Sequence, residues 1–217
     1  MKSKKFHINE QQLNHQYVYR FVKRLFDMVA STIALVILSP LFLIIAICIK
    51  VDDPKGPVFY SQVRVGKDGK HFKMFKFRSM VTNADQLLEK LRSQNDIDGA
   101  MFKMKNDPRI TKVGRIIRKY SLDELPQLAN VVMGSMSIVG PRPPLVSEVA
   151  EYTEYDKQRL MVKPGATGMW QVGGRNDVSF DEMVALDLTY IQERSIWLDL
   201  KIMFETVKIM IIPNGAY

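Results

Sequence analysis

Met28 to Ile49 reads MVASTIALVILSPLFLIIAICI and holds no charged residue between Asp27 and Lys50. A run of roughly 20 apolar residues is the length a helix needs to cross the hydrocarbon of a bilayer, so the first reading is a membrane span. Ser39-Pro40, in the middle of the run, opposes a straight one. Proline lacks the backbone donor and its ring collides with the carbonyl four residues back, so the helix must bend or break just before Pro40. Arg20, Lys23 and Arg24 precede the run, and Lys50, Lys55 and Arg64 follow it. Cytoplasmic flanks carry the Lys/Arg excess, so both ends read as cytoplasmic. That pattern favours a re-entrant hairpin broken at Ser39 and Pro40, with Ser39 or water satisfying the freed backbone groups. A kinked single span is the reading the residues leave open beside it. A secretory signal fits poorly, because the run is long, follows a charged leader and ends in Ile-Lys without a small-residue cleavage site.

The chain has 217 residues, room for one membrane element and one domain of ordinary size. The expected division is a polar, basic and mobile leader over 1–20, the membrane hairpin over 21–50 and a cytoplasmic domain over 51–217. The net charge of +8 points to anionic surroundings: a lipid surface, a phosphorylated substrate or nucleic acid. Nucleic acid is the weakest of these, since no recognition motif is present and a soluble binder would have to bury the apolar run. Cys48 is the single cysteine and lies inside that run, so there is no disulfide framework. His7, His15 and His71 are scattered and no Cys pair accompanies them, which gives no support to zinc.

Beyond Lys50 the segment Asp52-Asp53-Pro54-Lys55-Gly56-Pro57 marks a loop. Val58 to Val65 and His71 to Met80 read as strands joined at Gly66-Lys67-Asp68-Gly69, whose glycines lack the spacing and the Gly-Lys-Ser/Thr ending of a nucleotide-binding loop. Strand period places Lys76 and Arg78 on one face and Phe75 and Phe77 on the other, an ordinary solvated face that could also meet a diphosphate. Helices are expected over Thr82–Gln94, Ser147–Met161, Phe180–Glu193 and Ile196–Ile212. The last carries Lys201, Glu205 and Lys208 on one face, so it reads as amphipathic, lying on a membrane surface or on the core.

The densest stretch outside the apolar run is Ile110 to Gly134. Arg115 and Arg118 share a helical face, with Ile116 and Ile117 turned toward a core. Ser121-Leu122-Asp123-Glu124-Leu125-Pro126 then starts a new helix, with either Ser121 or Asp123 as its cap. Both registers leave Asp123 and Glu124 at a helix N-terminus, which stabilises carboxylates and can hold phosphate; helix starts are also simply rich in such residues. Arg142 stands in Gly140-Pro141-Arg142-Pro143-Pro144, a rigid loop suited to an oxyanion, or only a Pro-rich turn with an exposed arginine. Lys163 to Asn176 combines four glycines with Trp170 and Arg175, as a ligand-contacting loop or a tight structural one would.

These motifs in this order carry a resemblance. Lys23-Arg24-x-x-Asp27 before a Ser-Pro-broken apolar run, then SLDELPQ from Ser121, GPRP from Gly140 and PGATG-x-WQV-x-GRN from Pro164, resemble the bacterial sugar transferases, the monotopic polyprenyl-phosphate phosphoglycosyl transferases. The likeness runs from about Phe21 to the C-terminus and suits the minimal form of the family, or the catalytic part of a longer one. It implies an α+β architecture: the re-entrant membrane hairpin, then a small, mostly helical cytoplasmic catalytic domain with a short β-hairpin and interfacial amphipathic helices. It implies transfer of a sugar 1-phosphate from a UDP-sugar to undecaprenyl phosphate with release of UMP, as the initiating step of exopolysaccharide, capsule or another surface glycan. Asp123 would be the nucleophile, passing through a covalent phosphosugar, and Glu124 with Asp123 would hold Mg2+. Arg118 and Arg142 would meet the transferring phosphoryl group; Lys76, Arg78 and Arg175 are further candidates for phosphate or uridine. The implied location is the cytoplasmic face of the bacterial inner membrane, among its lipids and beside downstream glycosyltransferases. Oligomeric state stays open, a homodimer included. The competing class is a membrane-tethered scaffold that recruits anionic partners through its charge, for which Asp123 has no use.

Overall fold

Helix α2 (Tyr17–Ile37) ends at Leu38, and α3 (Ser39–Asp52) starts at once with Pro40 in its first turn. Pro40 has no N–H to offer the Val36 carbonyl, and the Ser39 hydroxyl donates to that carbonyl instead, at 2.8 Å. The bend is therefore satisfied by the residue expected to satisfy it, and the two axes diverge by 59°. No single described helix is long and apolar enough to cross a membrane; the bent pair together meets the length and composition required. The computed structural model describes residues 7–84, 86–87, 104, 107–173 and 178–211. Most of the helix expected over Thr82–Gln94 lies outside the described residues.

Both arms of the pair are pinned to one folded body. On the α2 side the buried Asp27 carboxylate accepts from the Ser137 hydroxyl at 2.7 Å and the Ile138 amide at 3.2 Å. Arg24 donates to the carbonyls of Val131 and Val132 at 2.6 and 2.8 Å, and Lys23 pairs with Asp199 at 2.8 Å. On the α3 side Asp52 accepts from the Val113 amide at 2.9 Å, while Asp53 pairs with Arg78 at 2.7 Å. Ile45 and Ile49 are buried against Phe77 and Ile117. Between these anchors the apolar surface is open: Ile33, Val36, Ile37, Leu43 and Ile44 are all exposed.

Residues 8–15, within the polar, mobile leader expected over 1–20, are packed on the domain. Helix α1 (Glu10–His15) lies against the domain, Ile8 and Leu13 are buried in its main core, and the Ile8 amide donates to Gln158 at 2.7 Å. Two apolar residues with a long-range partner outweigh the polar composition around them.

Strands β1 (Phe59–Val65) and β2 (His71–Phe77) form the expected antiparallel hairpin, in a register from Phe59 opposite Phe77 to Val65 opposite His71. Asp68 and Gly69 make its turn in the left-handed region, φ 57° and 74°. After α4 (Lys112–Lys119) and a 3-10 turn at Leu122–Glu124 come α5 (Gln127–Met133) and β3 (Ser137–Val139), which pairs in parallel with β4 (Gly165–Thr167). The parallel pair requires glycine, since a Cβ on Gly165 would collide with the Gly140 backbone. The single helix expected over Ser147–Met161 is instead α6 (Val146–Ala150), α7 (Glu154–Lys157) and a 3-10 turn at Gln158–Met161. Thr153 breaks it by capping α7 in a reciprocal box with Asp156. After α8 (Met169–Gly173), α9 (Phe180–Glu193) supplies Val184, Leu188 and Ile191 to the main core, and α10 (Ile196–Ile211) adds Ile202. The architecture is thus mixed helix and strand with small sheets, as expected. Helix α10 buries Ile202 yet exposes Trp197, Phe204 and Ile211, so it has an apolar stripe on each side. Ile116, expected in the core, is exposed; adjacent helical residues point about 100° apart and Ile117 takes the inward position.

Replacing Asp27 by alanine removes two acceptors from a buried site and leaves the Ser137 and Ile138 donors unpaired. A loss of about 2–4 kcal/mol in folding free energy is expected, read as a lower midpoint in chemical denaturation of the detergent-solubilised protein.

Candidate active site

Helix α4 ends at Tyr120, and Ser121 turns the chain through the left-handed region, φ 55°, where non-glycine residues are uncommon. Neither capping register forms: Ser121 makes no side-chain cap, Leu122–Glu124 is a 3-10 turn, and the next helix begins after Pro126. Tertiary packing overrides the local signal, because the turn drives Leu122 against the cluster of Ile45, Ile49, Phe77 and Ile117. The residue after it, Asp123, is then held inside the domain at 7 % exposure.

Burial is the largest influence on Asp123. Loss of water, followed by the charge of Glu124, pushes its carboxyl up to about 6, while the cations of Lys76 and Arg118 pull the other way. Glu124 is half-exposed and paired with Lys76 at 2.6 Å. Two adjacent carboxylates thus stand in one positive surround, the buried one poised to ionise only slightly below neutral pH. Among the described residues no three His, Cys, Asp or Glu side chains come together as a metal cage.

Of the residues expected at the site, Asp123, Glu124, Lys76 and Arg118 are brought together. Arg142 joins them through Arg64, which sequence reasoning missed as a site residue. Arg64 is buried; burial, then the charge of Arg142, lowers its pKa to about 10, against the opposing charges of Glu148 and Glu124. Its guanidinium donates to the Pro143 carbonyl at 3.2 Å and to Gln62 at 2.7 Å, so it ties the Pro-Arg-Pro loop to β1 and doubles the positive charge beside Glu124. The hairpin register held the signal: Tyr60 is opposite Lys76, and Gln62 and Arg64 follow on the same face by strand period. Arg78 goes elsewhere, to the carboxylate and the carbonyl of Asp53 at 2.7 and 2.6 Å, where it braces the end of α3. Trp170 is buried in α8 rather than displayed in an open loop. Arg175 lies outside the described residues.

An acidic pair flanked by Lys76 and Arg118, with Arg64 beside Glu124 and Arg142 beside Arg64, suits the handling of phosphate esters, whose charge needs both an internal nucleophile or base and external cations. The bacterial sugar transferase model matches residues 18–213, and the chain belongs to that family. It is 49% identical over 202 residues to an undecaprenyl-phosphate galactose phosphotransferase of Salmonella typhimurium, covering 91% of this chain and 42% of that protein. It is 45% identical over 203 residues to the galactosyl transferase CpsE of Streptococcus agalactiae, covering 93% and 45%. It is also 44% identical over 199 residues to the exopolysaccharide production protein ExoY of Rhizobium meliloti, covering 90% and 88%. The chain thus spans less than half the length of the first two relatives and most of the third.

The raised pKa of Asp123 carries a stability consequence. The folded state holds this proton more tightly than the unfolded chain, so the burden of the buried charge grows as pH rises from about 4 and is complete above about 6. Asp123→Asn should therefore stabilise the fold at pH 7.5, by up to about 3 kcal/mol at roughly 1.4 kcal/mol per pKa unit. The gain should vanish near pH 4. Denaturation midpoints of both proteins at the two pH values check it.

Proposed function

We propose that this protein transfers a sugar 1-phosphate from a UDP-sugar to undecaprenyl phosphate at the cytoplasmic face of the bacterial inner membrane, releasing UMP and beginning a surface glycan that downstream glycosyltransferases extend. The observation that carries the reading is the buried Asp123 beside Glu124 with the cations of Lys76 and Arg118 acting on it, in a chain whose relatives include an undecaprenyl-phosphate galactose phosphotransferase.

In the first step an ionised Asp123 oxygen attacks the phosphorus that bears the sugar. The bond from that phosphorus to the oxygen bridging it to the α-phosphorus breaks, and its electron pair leaves with UMP. The enzyme keeps an aspartyl phosphosugar. In the second step an oxygen of undecaprenyl phosphate attacks the same phosphorus, the Asp123 carboxylate departs, and the product is a sugar linked to the lipid by a diphosphate. Arg118 and Lys76 favour the ionised form of Asp123, and Arg142 with Arg64 places positive charge where the phosphoryl oxygens gain it. The donor set suits magnesium: two adjacent carboxylates that repel one another, to which the ion would add substrate phosphates and water. Bound there, it would neutralise charge on the diphosphate.

The reading requires Asp123 to work at the height of the headgroups, and the doubly anchored helix pair supports a one-leaflet wedge. From Asp27 to Leu38 the helix rises about 16 Å at ~1.5 Å per residue, against a hydrocarbon core about 30 Å thick. The chain then returns to Ile45 and Ile49, which are packed in the same body. A true span would leave its two ends on opposite sides of the bilayer, whereas Asp27 and Asp52 both bond to this one domain. The Lys/Arg residues at both flanks agree. Galactosyl or galactose stands in the names of the first two relatives above and glucose in those of others, and a panel of UDP-sugars would identify the donor sugar here.

With UDP-sugar alone the wild type should gain the mass of a phosphosugar on Asp123 and release one equivalent of UMP, and Asp123→Asn should do neither, a loss of at least about 1,000-fold. Adduct formation should fall about tenfold per unit as pH drops below about 6, where Asp123 takes up its proton. Full UMP release by Asp123→Asn contradicts the reading.

A further inference from the structure

A cavity of about 460 Å3 opens where the start of α2 meets β3, the 3-10 turn at Gln158–Met161 and α9. It is separate from the acidic pair: Arg24, in its wall, reaches the C-terminal carbonyls of α5, whereas Asp123 precedes that helix's N-terminus, with roughly 10 Å of helix between them. Among the described residues six cations line it, Arg20, Lys23, Arg24, Lys67, Lys163 and Arg194, and one carboxylate, Asp27. Asp27 is already engaged by Ser137 and Ile138, and Lys23 by Asp199. Arg24 is held by backbone carbonyls, Arg194 by Gln16 at 2.8 Å, and Lys67 faces Asp68 at 3.7 Å. The side chains of Arg20 and Lys163 form no hydrogen bond or ion pair with any described residue. The Lys163 ammonium is lowered in pKa, first by burial and then by the charges of Arg24, Lys67 and Arg20, with Asp27 opposing. The cavity is therefore a pocket of uncompensated positive charge, which an anion would relieve.

The rest of the lining says what kind of anion. Val139, Met161 and Val162 form an apolar wall. Tyr17 and Phe21 stand at the rim, 66 % and 71 % exposed, on the helix that continues into the apolar bend. A free phosphate would leave that wall bare, while a phosphate on a hydrocarbon tail fills both parts. The volume lies within the range of about 300–1,000 Å3 usual for ligand pockets.

We propose that this cavity binds the phosphodiester headgroup of an anionic phospholipid, with Arg20 and Lys163 as its principal contacts and the first part of the tail passing Phe21. The site is independent of the transfer reaction and its test does not use that activity.

The test titrates the full chain in detergent with dihexanoyl phosphatidylglycerol, dihexanoyl phosphatidylcholine or inorganic phosphate and follows the rise in melting temperature. Phosphatidylglycerol should give a saturable rise, with phosphatidylcholine and inorganic phosphate each at least about tenfold weaker. The pair Arg20→Gln and Lys163→Gln should weaken phosphatidylglycerol by about tenfold or more, while Arg20→Lys with Lys163→Arg keeps it. If the glutamine pair does not fold, either single glutamine variant carries the same comparison. Arg142→Gln, in the other site, should leave the titration unchanged. Equal binding of phosphatidylcholine or of inorganic phosphate overturns the proposal, as does an unchanged glutamine variant or loss of the response in Arg142→Gln.

Discussion

The Asp27 carboxylate is the point on which the arrangement turns. It accepts from Ser137 and Ile138 at the start of β3, and so fixes α2 to the strand that leads into the Pro-Arg-Pro loop. One turn earlier Arg24 covers the last carbonyls of α5, the helix that follows the acidic pair. These two residues join the apolar bend to the segments that carry Asp123 and Arg142. The returning arm closes the frame through packing, because Ile45 and Ile49 share a cluster with Leu122, the neighbour of Asp123. The apolar bend and the acidic pair are thereby built into one body.

The acidic pair shows the tension that follows from placing a carboxylate inside such a body. Burial resists the ionisation of Asp123, and the adjacent Glu124 adds to that resistance. Lys76 holds Glu124, Arg118 favours the Asp123 charge, and Arg64 is kept beside Arg142 although both are cations. Like charges on both sides of the site, Asp123 beside Glu124 and Arg64 beside Arg142, are costly in the free protein. Destabilisation of this kind is expected where a site is shaped for a ligand rather than for itself.

Local chemistry was legible in the sequence and long-range register was not. The break at Pro40, its rescue by Ser39, the hairpin turn at Asp68 and Gly69, and the helix from Phe180 to Glu193 all follow from single residues or short periods. The Ser121 and Glu124 spacing misled for the same reason: it is a local signal, and Leu122 packing outweighs it. The Thr153 and Asp156 box, which splits the expected helix over Ser147–Met161, was present in the sequence and passed over. Arg64 could be placed only once β1 was set against β2 and the Pro143 carbonyl brought to it from far along the chain. Burial of Ile8 and Leu13 likewise depends on partners distant in sequence.

If both arms of the bend belong to one domain, its apex cannot reach the far side of a bilayer. A nitroxide on Leu38→Cys, in a Cys48→Ser background, measures this directly through its relative exposure to oxygen and to a water-soluble nickel chelate in reconstituted vesicles. A depth of no more than about 15 Å is expected, within one leaflet of a hydrocarbon core about 30 Å thick. A label that reaches the water on the opposite face would contradict it.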